Sequence, residues 1–149
     1  MISSISGTVK STSINSIVVE VGGIGVLLQV PARVVSQMQV GKLVSFHTYL
    51  IVREDALTLY GFTEIVDREF FELLLSVTGI GPKVAQSILA SSEAATIATA
   101  IVTGNLKSLE STPGLGKKGA QRLVLELKDK AANFAGAGTN LKLSITISL

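Results

Sequence analysis

Two short stretches of this chain place backbone amides and cations at one spacing. Gly79-Ile80-Gly81-Pro82-Lys83-Val84-Ala85-Gln86 is answered 35 residues later by Gly114-Leu115-Gly116-Lys117-Lys118-Gly119-Ala120-Gln121. Gly79/Gly114, Gly81/Gly116, Lys83/Lys118, Ala85/Ala120 and Gln86/Gln121 are identical, and positions 80/115, 88/123 and 89/124 are apolar in both copies. A Gly-x-Gly turn bends sharply and leaves no side chain in front of the backbone. The first amides of the helix that follows have no intrahelical acceptor and lie at the positive end of its dipole. A phosphate oxygen can accept from them, and the lysine adds charge beside it. Ile80 or Leu115 would anchor each turn in the core. Such a grip reads phosphate and carries no base information. One grip per strand would follow a duplex across its minor groove. The blander alternative is a pair of glycine C-caps; five identities, each copy with its lysine, weigh against it.

Little else could do chemistry. His47 is the single histidine and there is no cysteine, which removes disulfides, thiolate metal sites and any His-bearing catalytic set beyond that one residue. Asp67, Glu69 and Glu72 follow one helical face and read as solvated. No phosphate-loop lysine motif occurs, so no ATPase and no cofactor is expected. Apolar residues make up 47% and charged residues 16%, which suits a packed core rather than a disordered chain. Mean hydropathy is positive, but no apolar run approaches the ~20 residues of a spanning helix, and the N-terminus lacks a signal-peptide pattern. A cytoplasmic protein without membrane attachment is expected. Net charge is only +2. The basic character is local: Lys117, Lys118, Arg122, Lys128 and Lys130 stand against Glu126 and Asp129.

The elements that must position these residues divide the chain. Residues 2–10, 16–21, 24–30, 43–52 and 56–62 read as strands, with a short helix at 32–38 and a tight charged connection at Arg53-Glu54-Asp55. Five short strands and one small helix predict a barrel of the OB type. From residue 64 the apolar spacing becomes three and four. Helices are predicted at 64–77 (capped by Thr63), 82–90, 93–102 (capped by Ser92), 105–110 and 117–132, the last burying Leu123, Val124 and Leu127. This is the helix-hairpin-helix pattern, present twice. The expectation is α+β with a barrel at 1–63, a tandem helix-hairpin-helix domain at 64–132, and a tail at 133–149 whose last nine residues alternate like a strand.

Five segments carry a resemblance: Val52-Arg53-Glu54-Asp55-Ala56, Leu59-Tyr60-Gly61-Phe62, Gly79-Ile80-Gly81-Pro82-Lys83, Pro113-Gly114-Leu115-Gly116-Lys117-Lys118 with Arg122-Leu123, and Glu126-Leu127-Lys128-Asp129-Lys130. Over about residues 1–132 the chain resembles the RuvA family, the Holliday-junction-binding subunits of the bacterial RuvAB branch-migration machine. The resemblance implies recombination and DNA repair within the SOS response. It implies a homotetramer, one or two per junction, holding an open four-way DNA junction. The partners it implies are the RuvB motor, which carries the ATPase, and the RuvC resolvase. It makes Glu54 and Asp55 an acidic pin at the tetramer's centre. Phosphate contacts fall to Gly79, Gly81, Lys83, Gly114, Gly116, Lys117, Lys118 and Arg122.

The chain departs from the family pattern in two ways. Gly119 and Val26 stand where larger or aromatic residues are usual, and Gly119 in a first helical turn should loosen packing by about 0.5–1 kcal/mol. The family's third, motor-contacting domain has no counterpart here, so weak motor recruitment is expected. Other readings stay open: a general duplex or single-strand binder, or a repair glycosylase or nuclease built on helix-hairpin-helix motifs. The former stacks bases on aromatics, which are 5% here; the latter needs a catalytic Lys/Asp pair or an acidic metal cluster.

Overall fold

The computed structural model describes residues 1–136 as two compact units, Met1–Arg68 and Glu69 onward. The first is built on β1 (Ser4–Thr12), β2 (Ser16–Val21), β3 (Ile24–Gln29), α1 (Ala32–Val35), β4 (Leu43–Val52) and β5 (Leu57–Phe62). The strands close into a barrel in the order β1-β2-β3-β5-β4. Every pairing is antiparallel except β3 with β5, which run parallel with Leu28 opposite Leu59. That single parallel pair closes the sheet, and α1 occupies the crossover between β3 and β4.

The alternating residues of the strands explain the barrel. Ile5, Ile17, Val19, Leu28 and Phe46 face inward with Val30 and with Val34 of α1. On the other face of the β4–β5 hairpin, Tyr60 and Phe62 are also buried. Burial raises the Tyr60 hydroxyl above its ordinary pKa, and the Arg53 guanidinium partly offsets this. The N-terminal residues are tied down by Thr48, whose amide donates to the Ser3 carbonyl at 2.9 Å and whose hydroxyl donates to Ile2 at 2.8 Å. Helix α1 is shorter than the 32–38 expected, because beyond Val35 the chain continues only as single turns, Gln37 to Val34 and Met38 to Val35.

The second unit is helical: α2 (Ile65–Leu75, its first turn in the barrel unit), α3 (Pro82–Ser91), α4 (Ala94–Val102), α5 (Leu106–Glu110) and α6 (Lys117–Ala131). Its core is Phe70, Phe71, Leu74, Ile88, Leu89, Ile101, Leu109, Leu123 and Leu127, all essentially inaccessible. Phe134 meets Phe70 edge to face at 5.2 Å. Two expected caps move by one residue. Glu64 rather than Thr63 heads α2, its carbonyl accepting from Asp67 and Arg68, and Glu93 rather than Ser92 heads α4. Val124 is half-buried, because the face of α6 turned to the core is centred on Leu123 and Leu127. Asp67 is likewise half-buried, while Glu69 and Glu72 are exposed. The strand-like pattern at 141–149 lies outside the described residues.

Phe46 fills the barrel's centre. Phe46→Ala is expected to lower unfolding stability by about 3–5 kcal/mol, the usual cost of a large aromatic cavity, measured by urea titration.

Candidate nucleic-acid interface

The two glycine turns share most of their bonds. After α2, the Ser76 hydroxyl donates to the Leu73 carbonyl at 2.6 Å; after α5, Ser111 donates to Ser108 at 2.7 Å. The Val77 and Ile80 amides reach Leu74 and Val77 at 3.1 Å each, and Thr112 and Leu115 reach Leu109 and Thr112 at 3.0 and 3.1 Å. Gly79 and Gly114 take φ of 87° and 83°, a left-handed conformation that costs other residues Cβ strain. Gly81 and Gly116 then turn extended and head α3 and α6. Between each pair of glycines, Ile80 and Leu115 are buried, so each turn is anchored from within.

What these turns leave open is the first-turn amides. In α1, α2 and α4 the amide of the third residue bonds back to the cap carbonyl, at 2.9, 3.2 and 3.1 Å. In α5 the Asn105 side chain accepts it instead, from Ser108 at 3.2 Å. In α3 and α6 the corresponding amides are those of Val84 and Gly119. Among the described residues neither has an acceptor; bonding to the caps begins at Ala85 and Ala120, at 2.9 Å each. Neither cap glycine offers a side chain. Among the described helices, only the two of the repeat thus leave the third amide unpaired as well as the first ones, at the positive end of the dipole. Lys83, Lys117 and Lys118 stand exposed beside them, without carboxylate partners among the described residues.

The two hairpins also pack reciprocally. A Cβ on Gly79 would lie 2.9 Å from Arg122 Nη1, and one on Gly114 would lie 3.5 Å from Ser87 Cβ. Ser87 and Arg122 are themselves 35 residues apart, so the two contacts exchange under the repeat, as a local two-fold axis requires. A groove of about 350 Å³ runs between the hairpins, lined by Gly79, Ile80 and Val84 on one side and Gly116, Lys118 and Arg122 on the other. Arg122 Nη1 donates to the Thr78 carbonyl at 3.0 Å. The repeat alone did not reveal this tie, although aligning Ser87 with Arg122 marks the position.

Gly119 corrects an expectation. Leu115 Cδ1 lies 2.7 Å from where its Cβ would be, so the glycine gives the anchoring leucine room and does not leave a void. In the barrel unit, Glu54 and Asp55 are exposed in the bend between β4 and β5, which closes through the Arg53 amide and Ala56 carbonyl at 2.9 Å. His47 is half-buried on β4, paired with Ser4 and Phe62. Among the described residues no group of three or more His, Asp or Glu could hold a metal ion, and no helix is long and apolar enough to cross a membrane.

A closed five-stranded barrel followed by two helix-hairpin-helix motifs defines the class of this protein. Residues 1–61 match the family model described as RuvA N terminal domain, and residues 71–129 match that of the SAM-like helix-hairpin-helix tandem. A Streptomyces coelicolor protein is 44% identical over 137 residues, covering 92% of this chain and 68% of its own. One from Roseiflexus sp. (strain RS-1) is 47% identical over 149 residues, covering 99% and 75%. A Geobacter sulfurreducens protein is 44% identical over 131 residues, covering 87% and 66%. All three are named Holliday junction branch migration complex subunit RuvA. The chain belongs to the RuvA family.

Replacing a helical glycine by alanine ordinarily stabilises by about 0.5–1 kcal/mol. Gly119→Ala is expected to forfeit that gain, because the new methyl displaces Leu115. Thermal unfolding of the variant beside the parent chain checks this.

Proposed function

We propose that this chain binds four-way DNA junctions through their sugar–phosphate backbone, without base preference, as the junction-holding subunit of a branch-migration assembly. The observation that carries this reading is the pair of helix N-termini, α3 and α6, whose third-residue amides have no acceptor, each flanked by lysine and exchanged under the repeat. Amides at such poles suit phosphate oxygens, and two of them in dyad relation suit the two strands of a duplex arm. Gly79, Gly81 and Lys83 serve one strand; Gly114, Gly116, Lys117 and Lys118 serve the other. The relatives' shared name supplies the junction as the target.

In this reading four copies assemble around the crossover. Exposed Ile24 and Leu57, at the starts of parallel β3 and β5, and Val52 opposite Leu57 offer apolar surface for neighbouring copies to cover. Assembly brings four Glu54-Asp55 turns to the centre, where their carboxylates repel phosphates and direct each strand into its arm. Salt weakens that repulsion by screening. The RuvB motor and the RuvC resolvase are the partners this assembly serves, and ATP hydrolysis belongs to the motor.

The deciding experiment is a competition among a four-way junction, linear duplex and single strand at one salt concentration. Junction is expected to win; preference for single strand would overturn the reading, and base release or cleavage by the chain alone would replace it with an enzyme. Lys83→Ala and Lys118→Ala should each weaken binding to all junction sequences alike. Each should lower the slope of log K against log salt by about 0.9. The double change Glu54→Gln with Asp55→Asn should leave junction affinity intact and alter discrimination against duplex. Loss of folding or of junction binding in that variant would remove the pin role.

A further inference from the structure

The family resemblance places Arg122 among the phosphate contacts, and the structure gives its guanidinium a second engagement. Nη1 donates to the Thr78 carbonyl at 3.0 Å, in the turn of the opposite hairpin, and lies against the Gly79 backbone where a Cβ would be 2.9 Å away. Its counterpart under the repeat, Ser87, comes near Gly114 only through its short side chain, whose Cβ and Oγ lie 3.5 and 3.8 Å from where a Gly114 Cβ would be. The hairpins are therefore tied by a side-chain hydrogen bond on one side and by contact alone on the other. The tied carbonyl directly precedes Gly79, so any movement of Arg122 is felt at the residue that forms the turn.

We infer that Arg122 is a positioning residue, which fixes the separation of the two phosphate grips rather than neutralising a phosphate. The inference rests on the proposal that the hairpins bind the DNA backbone. Amide donors cannot reach out as side chains can, so a rigid pair matches two strands only at one spacing. A planar guanidinium, always charged and with several fixed donors, can hold a carbonyl while lying flat against a glycine. Lysine can supply the charge and one hydrogen bond but not the flat surface.

The test uses the absence of native cysteines. Ser76 and Ser111 are exposed, equivalent in the repeat and at the starts of the glycine turns, before the first turns of α3 and α6, so Ser76→Cys with Ser111→Cys provides a spin-label pair for pulsed electron resonance in the full chain. The parent pair is expected to give one narrow distance distribution without DNA. Arg122→Ala and Arg122→Gln should broaden it, and Arg122→Lys should partly restore it. In junction binding, Arg122→Ala should weaken affinity about three- to tenfold, the size of one ordinary solvent-exposed hydrogen bond. Its salt slope should stay within a few tenths of the parent's, whereas that of Lys118→Ala falls by about 0.9. An unchanged distance distribution, an unchanged affinity, or a slope that falls as Lys118→Ala's does overturns the inference. If the parent chain fails to bind junctions at all, the functional proposal falls, while the distance measurements still decide the tie.

Discussion

A backbone amide can serve as a binding group only if the chain withholds its ordinary acceptor and clears the space in front of it. In α3 and α6 both conditions come from the same glycines. Gly79 and Gly114 turn the chain in a left-handed conformation, and Gly81 and Gly116 head the helices without offering a cap. The buried Ile80 and Leu115 keep those exposed turns from drifting. The unit's core serves this demand: Leu74, Ile88, Leu109 and Leu123 bury one face of each of the four flanking helices. The room that Gly119 gives Leu115 extends the same economy one turn into α6.

The barrel meets a different constraint. Its sheet must close so that no strand edge is left to pair with another chain, and the parallel contact of β3 with β5 closes it. Closure leaves the β4–β5 hairpin to end in a short bend, with Arg53 and Ala56 bonded across it. Glu54 and Asp55 are carried at that bend, exposed to water, with no side-chain hydrogen bond or ion pair among the described residues.

Most of this was legible from residues. Alternation and glycine breaks located β2 and β4 to the residue, and the 35-residue repeat located both hairpins, because these signals are local. The parallel β3–β5 pairing was not legible in any strand by itself, since register between strands distant in sequence leaves no local trace; it followed only from the architecture. Ser92 has the residue type of a cap, yet the turn after α3 makes Glu93 the cap by geometry, without any side-chain bond. Gly119 was misread because helix propensity is scored on one helix, whereas its purpose lies in Leu115, outside that helix. The hydrogen bond of Arg122 to the Thr78 carbonyl was not legible for a similar reason: the cation is visible in the sequence, but its acceptor lies 44 residues away.

The missing caps have one more consequence. A helix without an N-cap is less stable than it could be, by an amount that capping studies put near 1 kcal/mol. An anion seated at α3 or α6 supplies what the chain omits, so binding and local folding are one equilibrium viewed from two sides. Any such ligand raises the melting temperature of the second unit in proportion to the logarithm of its concentration over its dissociation constant. A ligand that seated anions at both poles would cap both helices at once and become part of the fold.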